Sequence, residues 1–331
     1  MTLRDEYQTD AMPLSSIKVA AIGGGTGMST MLRGLKSLTH NITAIVTVAD
    51  DGGGSGMLRT DMGILPPGDI RNCILGLAKT DPIMEKLLSY RFCGGSLNGQ
   101  SFGNLFLAAM CGISTNFVEA VKRVSDVLRV TGKVLPVTLD NVVLKADFSD
   151  GTSLKGESII PKYAREHNVH IEKIQIVPNN AKPLGDAISA IYDADVITLG
   201  PGSLYTSILP NLLIDGIADA VKRSKAKKIF ICNLMTQPGE TTGMSAYEHI
   251  KAVYDHTGDL KINTCIANEL KVPYEYLKPY LEDGADELLV DEDKIRGLGI
   301  NVVYDNFVSL QNGLLRHDFK NLTSVLAKCV L

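Results

Sequence analysis

The run Ile17-Lys18-Val19-Ala20-Ala21-Ile22 is apolar, of strand length, and stops at Gly23-Gly24-Gly25-Thr26-Gly27. Beyond the glycines, Met28, Met31, Leu32, Leu35 and Leu38 recur at helical spacing. Few folds accommodate a strand, a glycine loop and a helix in direct succession. A second apolar run, Ile42 to Val48, ends at Asp50-Asp51 and a further glycine-rich loop. Both runs are apolar almost throughout, as strands buried on two faces must be. The opening therefore predicts an α/β protein with a Rossmann-like, doubly wound and mostly parallel sheet.

The rest of the chain extends that pattern. Helical periodicity occupies 69–79, 81–90, 103–112 and 115–128. The period then shortens: Val142, Leu144 and Ala146 lead to a turn at Asp150-Gly151, and Thr152 to Gly156 answers as a hairpin. A small inserted β-rich subdomain is expected over 131–180, carrying His167 and His170. Alternation resumes with helix 184–192, strand 196–199 and strand 228–232. Helix 244–255, a strand near 261–266, helix 274–282, a strand near 300–304 and helix 318–328 complete it. The expected organisation is a flexible tail at 1–15, a nucleotide-binding core of 16–130 and 181–331, and the insert between.

Bulk properties narrow the class. The chain has 331 residues, 45% hydrophobic and 21% charged, with net charge −4 and dispersed basic residues. That balance lacks the basic footprint of a nucleic-acid binder. No apolar run reaches the roughly 18 residues of a membrane span. Arg4, Asp5, Glu6 and Asp10 precede no apolar stretch, so no signal peptide is expected. The six cysteines form no CxxC pair and read as small buried hydrophobes, not a zinc site. A cytoplasmic protein that associates with copies of itself is expected.

Most of the conspicuous loops follow a strand or open a helix, and in a parallel sheet the strand carboxyl ends meet along one ligand-binding edge. Gly23, Gly24, Gly25, Thr26, Gly27 and Met28 would present backbone amides and a helix N-terminus to a phosphate; a ligand-free tight turn is the alternative. No GK[ST] follows, and the third glycine of GxGxxG is missing. Asp50 and Asp51, with Gly52 behind them, would accept from a ribose hydroxyl or hold Mg²⁺, or merely cap a solvated loop that stays mobile without ligand. Asp69 is placed as an N-cap, and Arg71 and Asn72 beside it suit a phosphate or carboxylate. Gly103 and Asn104 open another helix, where Asn104 is either a cap or a ligand contact. Gly200, Pro201, Gly202 and Ser203 repeat the strand–glycine–helix logic in the second half. Asn233, Gln237 and the surrounding loop face the same edge. Arg316 and His317 precede Asp318, the expected N-cap of the last helix. His249 reads as a helix-face residue. No nucleophile–base pair is recognisable.

Taken in order, eight stretches resemble the bacterial gluconeogenesis factors, relatives of 2-phospho-L-lactate transferase. They are GGGTG (23–27), ITAIVTVADDGGGSG (42–56), PPGDIRN (66–72), SFGNL (101–105), GKVLP (132–136), ADVITLGPGSLYTSILPNLL (194–213), ICNLMTQPGET (231–241) and LRHD (315–318). The resemblance runs from about residue 17 to the end. It implies a Rossmann-like core with an inserted small domain and a bound nucleotide diphosphate. The transferase branch takes a guanosine-linked donor with Mg²⁺; the gluconeogenesis branch takes UDP-sugars such as UDP-N-acetylglucosamine. It further implies that Gly23 to Gly27, Asp50, Asp51, Gly200 to Ser203 and Asn233 line the nucleotide site. Arg316 and either Tyr276 or Tyr280 would lie on the sugar side. Where the family carries GGSSGRLR-like residues, this chain has Gly54 and Met57, so that loop is less basic.

Two functions follow as expectations. One is a nucleotide-sugar-binding regulator linked to growth and cell shape on gluconeogenic carbon sources. The other is a Mg²⁺-dependent transferase acting on a nucleotide-diphosphate-linked donor. An NAD-dependent oxidoreductase rests on the Rossmann-like opening alone, and the missing third glycine weakens it.

Overall fold

The structure is a computed structural model and describes residues 14–330 apart from 312. The tail expected at 1–15 falls almost wholly outside the described residues. From β1 (Val19–Gly23) the chain enters α1 (Gly25–Leu35) and returns through β2 (Ile42–Val46). Five helices follow: α2 (Gly53–Met62), α3 (Gly68–Leu77), α4 (Pro82–Ser89), α5 (Phe102–Gly112) and α6 (Phe117–Val127). After β3 (Lys133–Pro136) come β4 (Val143–Phe148), β5 (Ser153–Lys155), α7 (Ile160–His167) and β6 (Ile171–Val177). The next stretch is α8 (Gly185–Asp193), β7 (Val196–Leu199), α9 (Leu209–Leu212), α10 (Ile217–Arg223) and β8 (Lys227–Ile231). Then follow α11 (Ala246–Thr257), β9 (Thr264–Asn268), α12 (Tyr274–Glu282), α13 (Glu292–Gly297) and β10 (Asn301–Asp305). A hairpin of β11 (Val308–Gln311) and β12 (Leu314–His317) leads into α14 (Phe319–Val330).

Seven strands make one sheet in the order β10-β9-β8-β7-β1-β2-β3, and every neighbouring pair is parallel. The fold is thus α/β and doubly wound. The chain builds outward from β1 through β2 and β3, then crosses back to β7 and builds the other way. The winding reverses between β1 and β7, where the strand carboxyl ends leave a crevice. Alternation explains why both strand faces are apolar. Ala20 and Ile22 join one core with Leu199 and Phe230, while Val19 and Ala21 join the other with Met31, Ile74 and Leu326.

Three expectations are revised. The segment expected to leave the main sheet at 131 first supplies its edge strand, β3, paired to β2; the antiparallel sheet β5-β4-β6 spans Val143–Val177 only. Its Leu144, Phe148, Ile174 and Ile176 share the core of Ala20 and Ile22, so it buries its apolar face on the main domain. Gly52 to Gly56 is not a mobile loop but the first turn of α2. Its glycines serve close packing: a Cβ on Gly56 would lie 2.0 Å from the Asp51 carbonyl oxygen, and one on Gly54 2.7 Å from Gln100 Oε1. Asp69 does not cap α3, whose N-cap is Pro67. Asp318 does cap α14, accepting from the amides of Lys320 and Asn321.

Candidate functional site

The two glycine loops meet at the reversal between β1 and β7. Gly25 has φ +72° and Gly200 φ +81°, conformations that glycine adopts without a Cβ penalty. Contact between the loops also excludes side chains. A Cβ on Gly27 would lie 2.9 Å from the Pro201 carbonyl oxygen, and one on Gly202 3.2 Å from the Gly24 carbonyl oxygen. The first-turn amides of α1 have no helical acceptors of their own, and the helix dipole favours an anion there.

These loops border a cleft of about 410 Å³ lined by Gly24 to Gly27, Gly202, Ser203, Asn233, Gln237 and Arg316, among others. Met28 is fully buried and does not line the cleft, while the exposed Thr26 accepts through its carbonyl from Thr30 Oγ1. Asn233 grips Gly202, accepting its N–H at 3.1 Å and donating to its carbonyl at 2.9 Å. Gln237 Nε2 donates to Ser203 Oγ at 2.7 Å. Arg316 lies on β12; its guanidinium donates to the Leu315 carbonyl and has no ion-pair partner among the described residues. Tyr280 lines the cleft and its hydroxyl accepts from the Leu315 amide, whereas Tyr276 does not line it. Beside Arg316, His317 donates through Nε2 to the Cys232 carbonyl, and burial pushes it down to about 4, so it is neutral.

A second group of expected residues lies beside this cleft, not on its lining. Asp69 connects the two: its carboxylate accepts from the Gly25 amide, occupying the mouth of α1. Burial and the neighbouring Asp50 push it up to about 6. Asp50 is raised as well, chiefly by burial, although Gly52 N donates to its Oδ1 at 2.9 Å. Arg71 Nε donates to Asn104 Oδ1, and Asn104 Nδ2 to Ser55 Oγ at 3.4 Å. The cap of α5 is Ser101. A Cβ on Gly103 would press on the Arg71 side chain. The Asn72 carbonyl accepts from Ser29 Oγ, tying α3 to α1.

Asp51 has a structural occupation: its two oxygens accept the amides of Glu157 and Ser158 at 3.0 and 2.9 Å. It thereby fastens the insert to the core. Asp51→Ala leaves both amides without an acceptor and is expected to cost about 2 kcal/mol, read by urea denaturation of the ligand-free protein. Among the described residues no group of three or more His, Cys, Asp or Glu is arranged to hold a metal ion. The acids present fit Mg²⁺ only where phosphate oxygens complete its shell, the usual habit of that ion.

Glu157 escaped the sequence reading, and Glu240 entered it only as the end of the loop behind Gln237. Glu157 is pushed up to about 8 by burial and by Asp50, Asp69, Glu240 and Asp51. Glu240 is pushed up to about 7 by burial, against hydrogen bonds from the Thr206 hydroxyl and the Tyr205 amide. They lie in separate loops of the chain, and only the fold brings them close enough for Glu240 to act on Glu157. His167 stacks on Tyr163 at the end of α7. His170 lines a separate cavity of about 890 Å³ between the insert and α11, which shares only Pro238 and Asp283 with the glycine cleft. Buried His249 donates through Nδ1 to its own helix, at the Ser245 carbonyl.

No helix of the described residues is long and apolar enough to cross a membrane. Residues 19–308 match the CofD family, 2-phospho-L-lactate transferase. A putative gluconeogenesis factor of Thermoanaerobacterium thermosulfurigenes is 55% identical over 313 residues, 95% of this chain and 97% of that one. The gluconeogenesis factor of Bacillus subtilis is 46% identical, covering 93% and 96%. A crystal structure of a UPF0052 family protein from Bacillus halodurans superposes with TM-score 0.89 at 43% identity, covering 94% of this chain and 99% of that one. The protein therefore belongs to the CofD family and, within it, to the gluconeogenesis factors.

Proposed function

We propose that the protein is a cytoplasmic nucleotide-sugar-binding regulator whose ligand is a UDP-sugar of the UDP-N-acetylglucosamine type, and that it works by binding, without fast turnover. The observation that carries this reading is the pair of glycine loops abutting at the sheet reversal, with Arg316, which has no ion-pair partner among the described residues, in the same cleft. Backbone amides from both sides would take the diphosphate, and Arg316 with Tyr280 would meet the sugar. The naming of the relatives as gluconeogenesis factors suits a role in growth and cell shape on gluconeogenic carbon sources. A thermal-shift series with UDP-N-acetylglucosamine, GDP, NAD and a deazaflavin, each with and without Mg²⁺, is the test. A ligand that binds only the folded state raises the melting temperature by mass action. The UDP-sugar is expected to give the largest rise; no shift at millimolar UDP-sugar would refute the reading.

The acids beside the cleft favour a second reading, a transferase of the 2-phospho-L-lactate transferase type. Asp50 and Asp69 would share a phosphate-bound Mg²⁺ with the ligand, and positioning with charge neutralisation would supply the catalysis. Product formation from a nucleotide-diphosphate-linked donor, lost in Asp50→Asn, would favour it over the regulator.

A further inference from the structure

Between the two glycine loops lies a side chain that the glycine motifs do not bring forward. Asn211, in α9, is completely buried. Its Nδ2 donates to the Gly23 carbonyl at 2.9 Å, across 188 residues of sequence, and to the Ser207 carbonyl at 2.7 Å. Its Oδ1 has no hydrogen-bond partner among the described residues. Both acceptors are carbonyl oxygens, so only the NH2 end of the amide can face them, and the orientation follows from chemistry alone. Burying an amide with its oxygen unmatched is unfavourable, and a leucine would fill the space more cheaply. What asparagine adds is a double donor tying the end of β1 to the turn after β7.

Asn233 does the equivalent for the second loop, with both polar ends of its amide spent on the backbone of Gly202. Because Gly27 abuts Pro201 and Gly202 abuts Gly24, a loop held at either place fixes the other. We propose that Asn211 and Asn233 are positioning residues that fix the two glycine loops against each other, Asn233 by engaging the Gly202 N–H itself, so that the α1 loop is held as one rigid phosphate-recognising array. Asn233 then acts through Gly202 and not on the ligand. This rests on the nucleotide reading above.

The test compares diphosphate with monophosphate. Calorimetry with UDP and UMP, and with GDP and GMP to cover either base, gives the preference for the extra phosphate. In Asn211→Leu that preference is expected to shrink about tenfold, the loss of about one well-placed charge-assisted hydrogen bond. General destabilisation would weaken both nucleotides alike, so an unchanged ratio in a folded variant overturns the proposal. Asn211→Asp keeps the shape but replaces the donor with an acceptor, and wild-type behaviour there would also overturn it. Should both Asn211 variants fail to fold, Asn233→Ala, half-buried in the cleft, carries the same ratio test. Hydrogen exchange of the ligand-free variants separates this proposal from the functional reading. Faster exchange confined to Gly24–Gly27 and Gly202–Leu204 supports the lock even if no nucleotide binds. Unchanged protection in both loops refutes it.

Discussion

Gly27→Ala is expected to weaken binding of a nucleotide diphosphate by about 100-fold while the protein still folds. The added Cβ would lie 2.9 Å from the carbonyl oxygen of Pro201 and 3.2 Å from its carbon. Both are backbone atoms next to the reversal of the sheet, so no flexible side chain can yield. The loops must part by several tenths of an ångström, and overpacking of this kind costs about 1–3 kcal/mol of stability. Binding suffers more. The α1-loop amides would meet the ligand against the Gly200 loop, and two misaligned charge-assisted hydrogen bonds at about 1.5 kcal/mol each give roughly two orders of magnitude. Gly112→Ala is the control. It lies in the last turn of α5 with nothing within 4 Å of the new methyl, and is expected to leave binding unchanged and stability equal or up to about 1 kcal/mol higher. Calorimetry with UDP-N-acetylglucosamine and urea denaturation of both variants decide the matter. Equal affinity in Gly27→Ala would mean that the loops do not act as one site.

The same contact marks how far the sequence could be read. Periodicity located β1, β2 and β7 because each is a short, strongly apolar run, and burial on both sheet faces leaves few other readings of such runs; it located α1 by the apolar stripe behind the glycines. It failed at Gly52 to Gly56, where glycine normally signals a loop. There Gly54 admits Gln100 against a helix, a long-range demand invisible along the chain, and Gly56 clears the nearby Asp51 carbonyl. The hairpin at 308–317 went unread because its strands have only four residues each, although Val308-Ser309-Leu310-Gln311 alternates and the Asn312-Gly313 pair after it is a hairpin signal. In the site, the loops were legible because anion recognition by backbone needs glycine. Of the residues that hold those loops, Asn233 was expected in the site but as a ligand contact, and Asn211 was not expected at all. Asn211 and Asn233 act on carbonyls and amides contributed by distant strands, and an asparagine carries no local sign of such a partner. Asp69 was misassigned because a carboxylate near a helix start ordinarily caps it, whereas this one reaches the neighbouring helix at Gly25.

The stability of the ligand-free protein is expected to fall between pH 5 and pH 8, and Glu240→Gln to remove a large part of that fall. Glu240 is held near 7, Glu157 near 8 and Asp69 near 6, in each case chiefly by burial. In the unfolded chain the same groups release their protons near pH 4. Between pH 4 and pH 8 the folded state therefore binds more protons than the unfolded state, and stability declines as pH rises. The favourable contribution is complete below about pH 4 and is lost as pH passes through 6 to 8. A carboxyl moved from 4.5 to about 7 corresponds to about 3 kcal/mol. The hydroxyl of Thr206 and the amide of Tyr205 can still bond to a glutamine there, and removing one charge also eases Glu157. Glu240→Gln should accordingly gain about 2 kcal/mol over wild type at pH 8 and almost nothing at pH 4. Urea denaturation at pH 5 and pH 8 reads the difference directly. A gain equal at both pH values would assign the effect to packing; no gain at either would mean that the folded protein solvates Glu240 well enough to ionise it at the ordinary pH.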